Sequence, residues 1–125
     1  MILGTGVDIV SVGRVRGILQ RQKTRFVERV FTPGEQGYCN THRDPAPHYA
    51  VRFAAKEALL KALGTGWSNG IRWIDVEVQR EEGKAPVIRI HGQAARIAAR
   101  MQVRAIHASL SHSEENAVAT VVLES

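Results

Sequence analysis

Arg52-Phe53-Ala54-Ala55-Lys56-Glu57-Ala58-Leu59-Leu60-Lys61-Ala62-Leu63-Gly64 is the stretch around which the rest of the chain is organised. From about His48 to Leu63 the sequence is dominated by Ala, Leu, Lys and Glu, strong helix formers with no internal Gly or Pro, and Gly64 supplies a C-terminal stop. Apolar residues occupy nearly every side of this helix, which predicts that it is largely buried. Its few polar residues therefore need an explanation. Arg52 and Lys56 are four apart, as are Glu57 and Lys61, and such residues lie one above the other on a helix. A surface pair of Glu57 with Lys61 would contribute at most about 1 kcal/mol. In a buried helix, a cleft, a metal or an anionic ligand accounts for these charges better, because desolvating them without a partner is costly.

On the N-terminal side, Asn40 to Pro47 is polar and holds two of the four prolines, a loop without the character of a domain linker. Thr32-Pro33-Gly34-Glu35 reads as a capping box, with Thr32 at the N-cap, Pro33 at the first helical position and Glu35 reaching back, so a short helix through Tyr38 follows. Ser11 caps a helix to about Arg21 with Val12, Val15, Ile18 and Leu19 as its apolar stripe. Arg14, Arg16 and Arg21 lie outside the stripe, and Lys23 and Arg25 extend the basic surface. Residues 2 to 10 carry no helical period and predict a strand. Regular alternation puts Gly4, Gly6 and Asp8 on one face and Leu3, Thr5, Val7 and Ile9 on the other, with space beside the Asp8 carboxylate.

Towards the C-terminus, Ile74 to Val78 and Val87 to Ile90 bracket Glu81-Glu82-Gly83-Lys84-Ala85-Pro86, an antiparallel hairpin pattern. An Ala-rich helix over residues 93 to 101 precedes a second hairpin, Ile106 to Leu110 and Ala117 to Leu123. The order of elements predicts one α+β domain over residues 1–125, an antiparallel sheet with a long helix packed against it. A chain of 125 residues suits a single core, and 44% hydrophobic with 23% charged residues is an ordinary globular composition.

Seventeen Lys and Arg against twelve Asp and Glu give a formal charge of +5, which favours acidic partners. Cys39, the single cysteine, cannot form an intrachain disulfide and implies a reducing compartment. Met1 to Asp8 lacks a basic segment and an apolar run long enough for a signal peptide, so a cytoplasmic protein is expected. Asp8, a charge in an apolar strand, raises the same question as Glu57. Two carboxylates meeting in a cleft suit magnesium, which takes one or two carboxylates with waters and substrate phosphates, and an adjacent lysine would neutralise phosphate. Composition and spacing alone do not bring Asp8 to Glu57.

Gly6-Val7-Asp8-Ile9-Val10 followed by Arg14, and Arg52 through Gly64-Thr65-Gly66, resemble the two signature segments of the holo-acyl-carrier-protein synthases of the 4'-phosphopantetheinyl transferase superfamily. The likeness extends over essentially the whole chain, including Phe31 to Glu35, the Gly83-Lys84-Ala85-Pro86 turn, His107 to His112 and Ala117 to Ala119. It implies the phosphopantetheinyl transferase fold and transfer of the 4'-phosphopantetheine group of coenzyme A to a serine of apo acyl carrier protein, in support of fatty acid biosynthesis. The other product would be adenosine 3',5'-bisphosphate. By the same resemblance Asp8 and Glu57 would hold magnesium, Lys61 would neutralise the leaving group, and Glu57 or a water bound near it would take the serine proton. Arg52, Lys61, Gly64, Lys84 and His107 would bind the coenzyme, with His112 a secondary candidate. Ala85 stands between Lys84 and Pro86 where some members have Lys-Pro directly. Arg14, Arg21 and Arg25, supported by Lys23, would dock the acidic carrier. A homotrimer with each site shared between subunits is expected from the family.

Two other readings are compatible with the charge. A nonenzymatic basic module binding RNA or DNA would use the helix-one arginines, but aromatics are only 6% and no strand motif offers paired stacking rings. A magnesium-dependent nucleotide hydrolase would need a Gly-rich lysine loop before a helix, whereas Gly64-Thr65-Gly66 follows one.

Overall fold

The computed structural model describes residues 1–81 and 83–125; Glu82, in the predicted hairpin loop, lies outside the described residues. The elements run β1 (Ile2–Ser11), α1 (Val12–Val30), α2 (Pro33–Asn40), α3 (Ala46–Leu63), β2 (Val76–Gln79), β3 (Val87–Ile90), α4 (Gly92–Met101), β4 (Ala105–His112) and β5 (Asn116–Glu124). A 3-10 turn, Trp73–Asp75, leads into β2. The strands form an antiparallel three-stranded sheet in the order β1-β5-β4 and a separate β2-β3 hairpin.

The predicted long helix is α3, and thirteen of its eighteen residues are buried, so it is the centre of the core. Gly64 ends it in the left-handed conformation, φ 78°, with its N–H donated to Leu60 O and Lys61 O. Backbone of this hand favours glycine. The predicted capping box closes at the start of α2: Glu35 N donates to Thr32 Oγ1 at 3.2 Å and Thr32 N to Glu35 Oε1 at 2.9 Å. Helix α1 runs well past the expected end at Arg21. Gln22 breaks the helical conformation (φ -142°, ψ 41°), after which Val27 and Val30 are buried. The kink resets the helical phase, so the apolar stripe of the first half does not carry through the basic segment Arg21 to Arg25 into the second.

One face of the sheet packs on α3. Ala117, Ala119, Val121 and Leu123 of β5 are buried there, and β1 contributes Gly4, Gly6 and Asp8 to the same face, as alternation predicts. Leu3 departs from the expected outer set: the register shifts between Ile2 and Gly4, and Leu3 packs against the core instead. The room expected beside Asp8 is occupied by helix backbone. A Cβ on Gly4 would stand 2.1 Å from Ala62 O and one on Gly6 1.9 Å from Ala58 O, so the two glycines let strand and helix meet main chain to main chain. Gly6→Ala therefore forces β1 from α3. The expected cost is about 3 kcal/mol, or roughly 10 °C in Tm, read by thermal unfolding. A wild-type Tm would mean that the strand and helix do not sit this close.

The opposite face is open. Val7 is 56% and Ile9 64% exposed, and across the ladder they adjoin Thr120, Val118, Ser109 and Ser111. No helix among the described residues is long and apolar enough to cross a membrane.

Candidate active site

Where β1 runs into α1, a cavity of about 490 Å³ opens against α3. Asp8 comes from the end of β1, Arg14 from the first turn of α1 and Glu57 from the middle of α3; Ile9, Val15, Ile18, Phe26 and Phe53 form its apolar wall. Ser11 fixes the corner by accepting from Arg14 N at 3.2 Å. The two carboxylates predicted from separate segments thus share one cleft.

Lys61 completes this group in an unexpected direction. Its Nζ bonds Asp8 instead of Glu57, donating to Asp8 Oδ1 at 3.1 Å and to Val7 O at 2.9 Å. The close approach of β1 to α3 allows it, because Lys61 lies beside the strand that carries Asp8. Glu57 is held from elsewhere: Trp67 Nε1 donates to Glu57 Oε1 at 3.2 Å. Among the described residues no group of three or more His, Cys, Asp or Glu is placed to hold a metal ion. A site of two carboxylates fits magnesium, which leaves its remaining positions to water and phosphate.

The other expected coenzyme residues stand apart from this cavity within one chain. Arg52 is 2% exposed, its guanidinium 4.3 Å from the Tyr38 ring centroid, with Nη1 donating to His48 O at 3.2 Å. Its Nε and Nη2 are buried without a partner. Next to it His42 stacks on His48 at 3.5 Å and His112 meets His48 edge-on at 5.4 Å. Burial, then the neighbouring His42 and His112, hold the His48 pKa down to about 4, so it is neutral at pH 7. Lys84 pairs with Glu81 at 2.7 Å in the β2-β3 hairpin and lines a different cavity with Gln79 and Arg89. His107 lies on the open sheet face, where Nε2 is 3.0 Å from Glu124 Oε1, and this histidine holds the Glu124 carboxyl below its ordinary range. Gly64 caps α3. Of the expected docking residues, Arg14 lines the cavity, while Arg21 and Arg25 are exposed on either side of the Gln22 break.

Three features escaped the sequence reading. Trp67 follows the helix in a Gly-rich turn and its sequence context carries no sign of a contact with Glu57. The apolar wall includes Phe53, one turn before Glu57, which helical spacing could have placed beside it. Glu35, read as a capping residue, also pairs with Lys56 Nζ at 2.8 Å, and both side chains are fully buried.

The α+β scaffold thus mounts one cleft lined by two carboxylates, with a lysine against one of them and an arginine at the rim. The chain belongs to the 4'-phosphopantetheinyl transferase superfamily, whose family pattern matches residues 4–122, and is a transferase of the holo-[acyl-carrier-protein] synthase type. It is 48% identical over 124 residues to the holo-[acyl-carrier-protein] synthase of Koribacter versatilis (strain Ellin345), covering 99% of both chains. The holo-[acyl-carrier-protein] synthase of Neisseria meningitidis superposes with a TM-score of 0.89 at 30% identity, each chain covered in full. That of Bacillus anthracis str. Ames, crystallised in complex with CoA (3',5'-ADP), superposes at 0.82 with 35% identity over 100% of this chain and 98% of its own. The fold is accordingly the phosphopantetheinyl transferase fold.

Proposed function

We propose that this chain, as a single domain over residues 1–125, moves the 4'-phosphopantetheine group of coenzyme A to a serine of apo acyl carrier protein in the cytoplasm, serving fatty acid biosynthesis. The observation that carries this reading is the meeting of Asp8, Glu57 and Lys61 beside a cavity with a basic rim.

Asp8 and Glu57 would hold magnesium, which when bound places positive charge opposite the pyrophosphate oxygens. Lys61, 55% exposed and already against Asp8, is positioned to neutralise the departing adenosine 3',5'-bisphosphate. Glu57, directly or through a water, takes the proton of the attacking serine. The buried and half-buried wall of Val15, Ile18, Phe26 and Phe53 excludes water from the flank of the site and strengthens each of these charge interactions.

The carrier, an acidic protein, docks on α1 through Arg14, Arg21 and Arg25, whose charges are exposed. Charge reversal at Arg14 or Arg21 is expected to raise the Michaelis constant for the carrier about tenfold while leaving that for coenzyme A near its starting value, as steady-state kinetics would read. An unchanged constant for the carrier would count against docking there. The open sheet face, with Val7 and Ile9 exposed and Val118 and Val122 half-buried, supports a homotrimer, as does the placing of Lys84 in a different cavity from Asp8, which a neighbouring subunit would bring to the site. The nucleic-acid reading has no support from the fold or from the relatives.

Incubation with coenzyme A, magnesium and apo carrier protein tests the proposal. The carrier should gain the mass of one phosphopantetheine; no gain across several carriers would sink it.

A further inference from the structure

The two carboxylates of the cleft are held in the same way. Asp8 gives Oδ1 to Lys61 and Glu57 gives Oε1 to Trp67, and no donor among the described residues meets Asp8 Oδ2 or Glu57 Oε2. Each group thus has one oxygen fixed by this chain and one turned free. Lys61 reaches Asp8 from the adjoining helix. Trp67 sits in the turn after α3, between two left-handed glycine-rich positions, Gly66 (φ 58°) and Gly70 (φ 80°), and needs its own support.

That support is a row of aromatic rings. The Trp67 ring lies 3.6 Å from that of Trp73, Trp73 stacks on Phe53 at 4.9 Å, and Phe53 packs on Phe26 at 6.1 Å. Phe53 and Phe26 are the apolar wall of the cleft itself. The row therefore ties the indole to the same wall that borders Glu57. An indole N–H only donates, so it suits a carboxylate oxygen and cannot compete for a cation.

We propose that Trp67 is a positioning residue for Glu57: its N–H fixes Oε1 so that Oε2 faces the cleft as a preoriented oxygen ligand. A glutamate on a helix otherwise samples several rotamers, and each must be given up when a cation binds. Partners that orient a ligand from behind typically change metal affinity about 10- to 100-fold when removed. This inference rests on the proposal that Asp8 and Glu57 hold a divalent cation.

The test is titration of the full-length protein with Mn²⁺ in the presence of coenzyme A, following the free-ion electron paramagnetic resonance signal. Trp67→Phe keeps a ring against Trp73 and removes the donor; it should raise the Mn²⁺ dissociation constant about tenfold with little change in the urea midpoint. Glu57→Gln should lose binding altogether. If Glu57→Gln binds like the wild type, the metal reading itself fails; if it loses binding while Trp67→Phe does not, the metal reading stands and the positioning role is overturned. Should Trp67→Phe unfold, Trp73→Phe supplies a second measurement, because Trp67 is then the sole indole. Its emission should shift on Mg²⁺ addition with the same concentration dependence as binding, and a silent indole would overturn the proposal.

Discussion

Replacing Asp8 or Glu57 with alanine is expected to lower phosphopantetheine transfer by on the order of 1,000-fold or more while leaving the protein folded. The two effects separate because neither carboxylate carries the fold. Asp8 bonds Lys61, whose side chain is 55% exposed and is resolvated when its partner goes. Glu57 is half-buried, and its one side-chain hydrogen bond among the described residues is from the Trp67 N–H at the end of a turn. Exposed pairs of this kind are worth at most about 1 kcal/mol. Under the proposed mechanism catalysis lacks any such reserve, because among the described residues Asp8 and Glu57 are the only acids lining the cleft. Transfer rates with apo carrier protein, alongside thermal unfolding, check the expectation. An active Asp8→Ala or Glu57→Ala protein would remove the metal assignment, and an unfolded one would mean that these carboxylates hold the scaffold together after all.

The sequence made α3 legible because nothing in it competes with helix: twelve of the sixteen residues from His48 to Leu63 are strong formers, with no Gly or Pro before Gly64. The α2 capping box was equally readable, since cap and N3 residue are three apart and their bonding is local. Strand alternation placed Asp8 on one face with Gly4 and Gly6, the face that meets α3, and the two signature segments joined it to Glu57. What stayed hidden depended on contacts between distant residues. Lys61 was four residues from Glu57 and yet chose Asp8, 53 residues away, because two glycines bring β1 onto the helix. The extension of α1 beyond Arg21 was masked by the break at Gln22. Trp67 lies in a turn, where no periodicity indicates which way a side chain faces. Leu3 was misassigned because a single irregularity in the ladder reverses the side on which a residue falls.

The largest stability effect is expected at Lys56. Its Nζ, wholly buried, donates to Glu35 Oε1 at 2.8 Å, to Trp73 O at 3.1 Å and to Val76 O. Glu35 in turn accepts from Thr32 N through Oε1 and from Val78 N through Oε2, each at 2.9 Å. One ammonium and one carboxylate thereby satisfy the start of α2, the 3-10 turn and β2 from the centre of α3. Burial pulls the Lys56 pKa below its ordinary value, and the Glu35 charge opposes the shift without cancelling it. Lys56→Met keeps most of the volume but leaves Glu35 as a buried uncompensated charge and takes one donor from each of two carbonyls, Trp73 O and Val76 O. Breaking such a pair from one side costs about 3–5 kcal/mol, a large share of the roughly 5–15 kcal/mol that holds a typical domain. Pairing Lys56→Met with Glu35→Gln removes the stranded charge and retains an acceptor for Thr32 N. The double variant should therefore be more stable than Lys56→Met alone, a coupling that urea unfolding measures directly. A Lys56→Met protein within about 1 kcal/mol of wild type, or a double variant that merely adds the two losses, would rule out the pair as the tie between helix and hairpin. The consequence reaches the site, because Lys56 precedes Glu57 and its bond to Trp73 O anchors the ring against which Trp67 stacks.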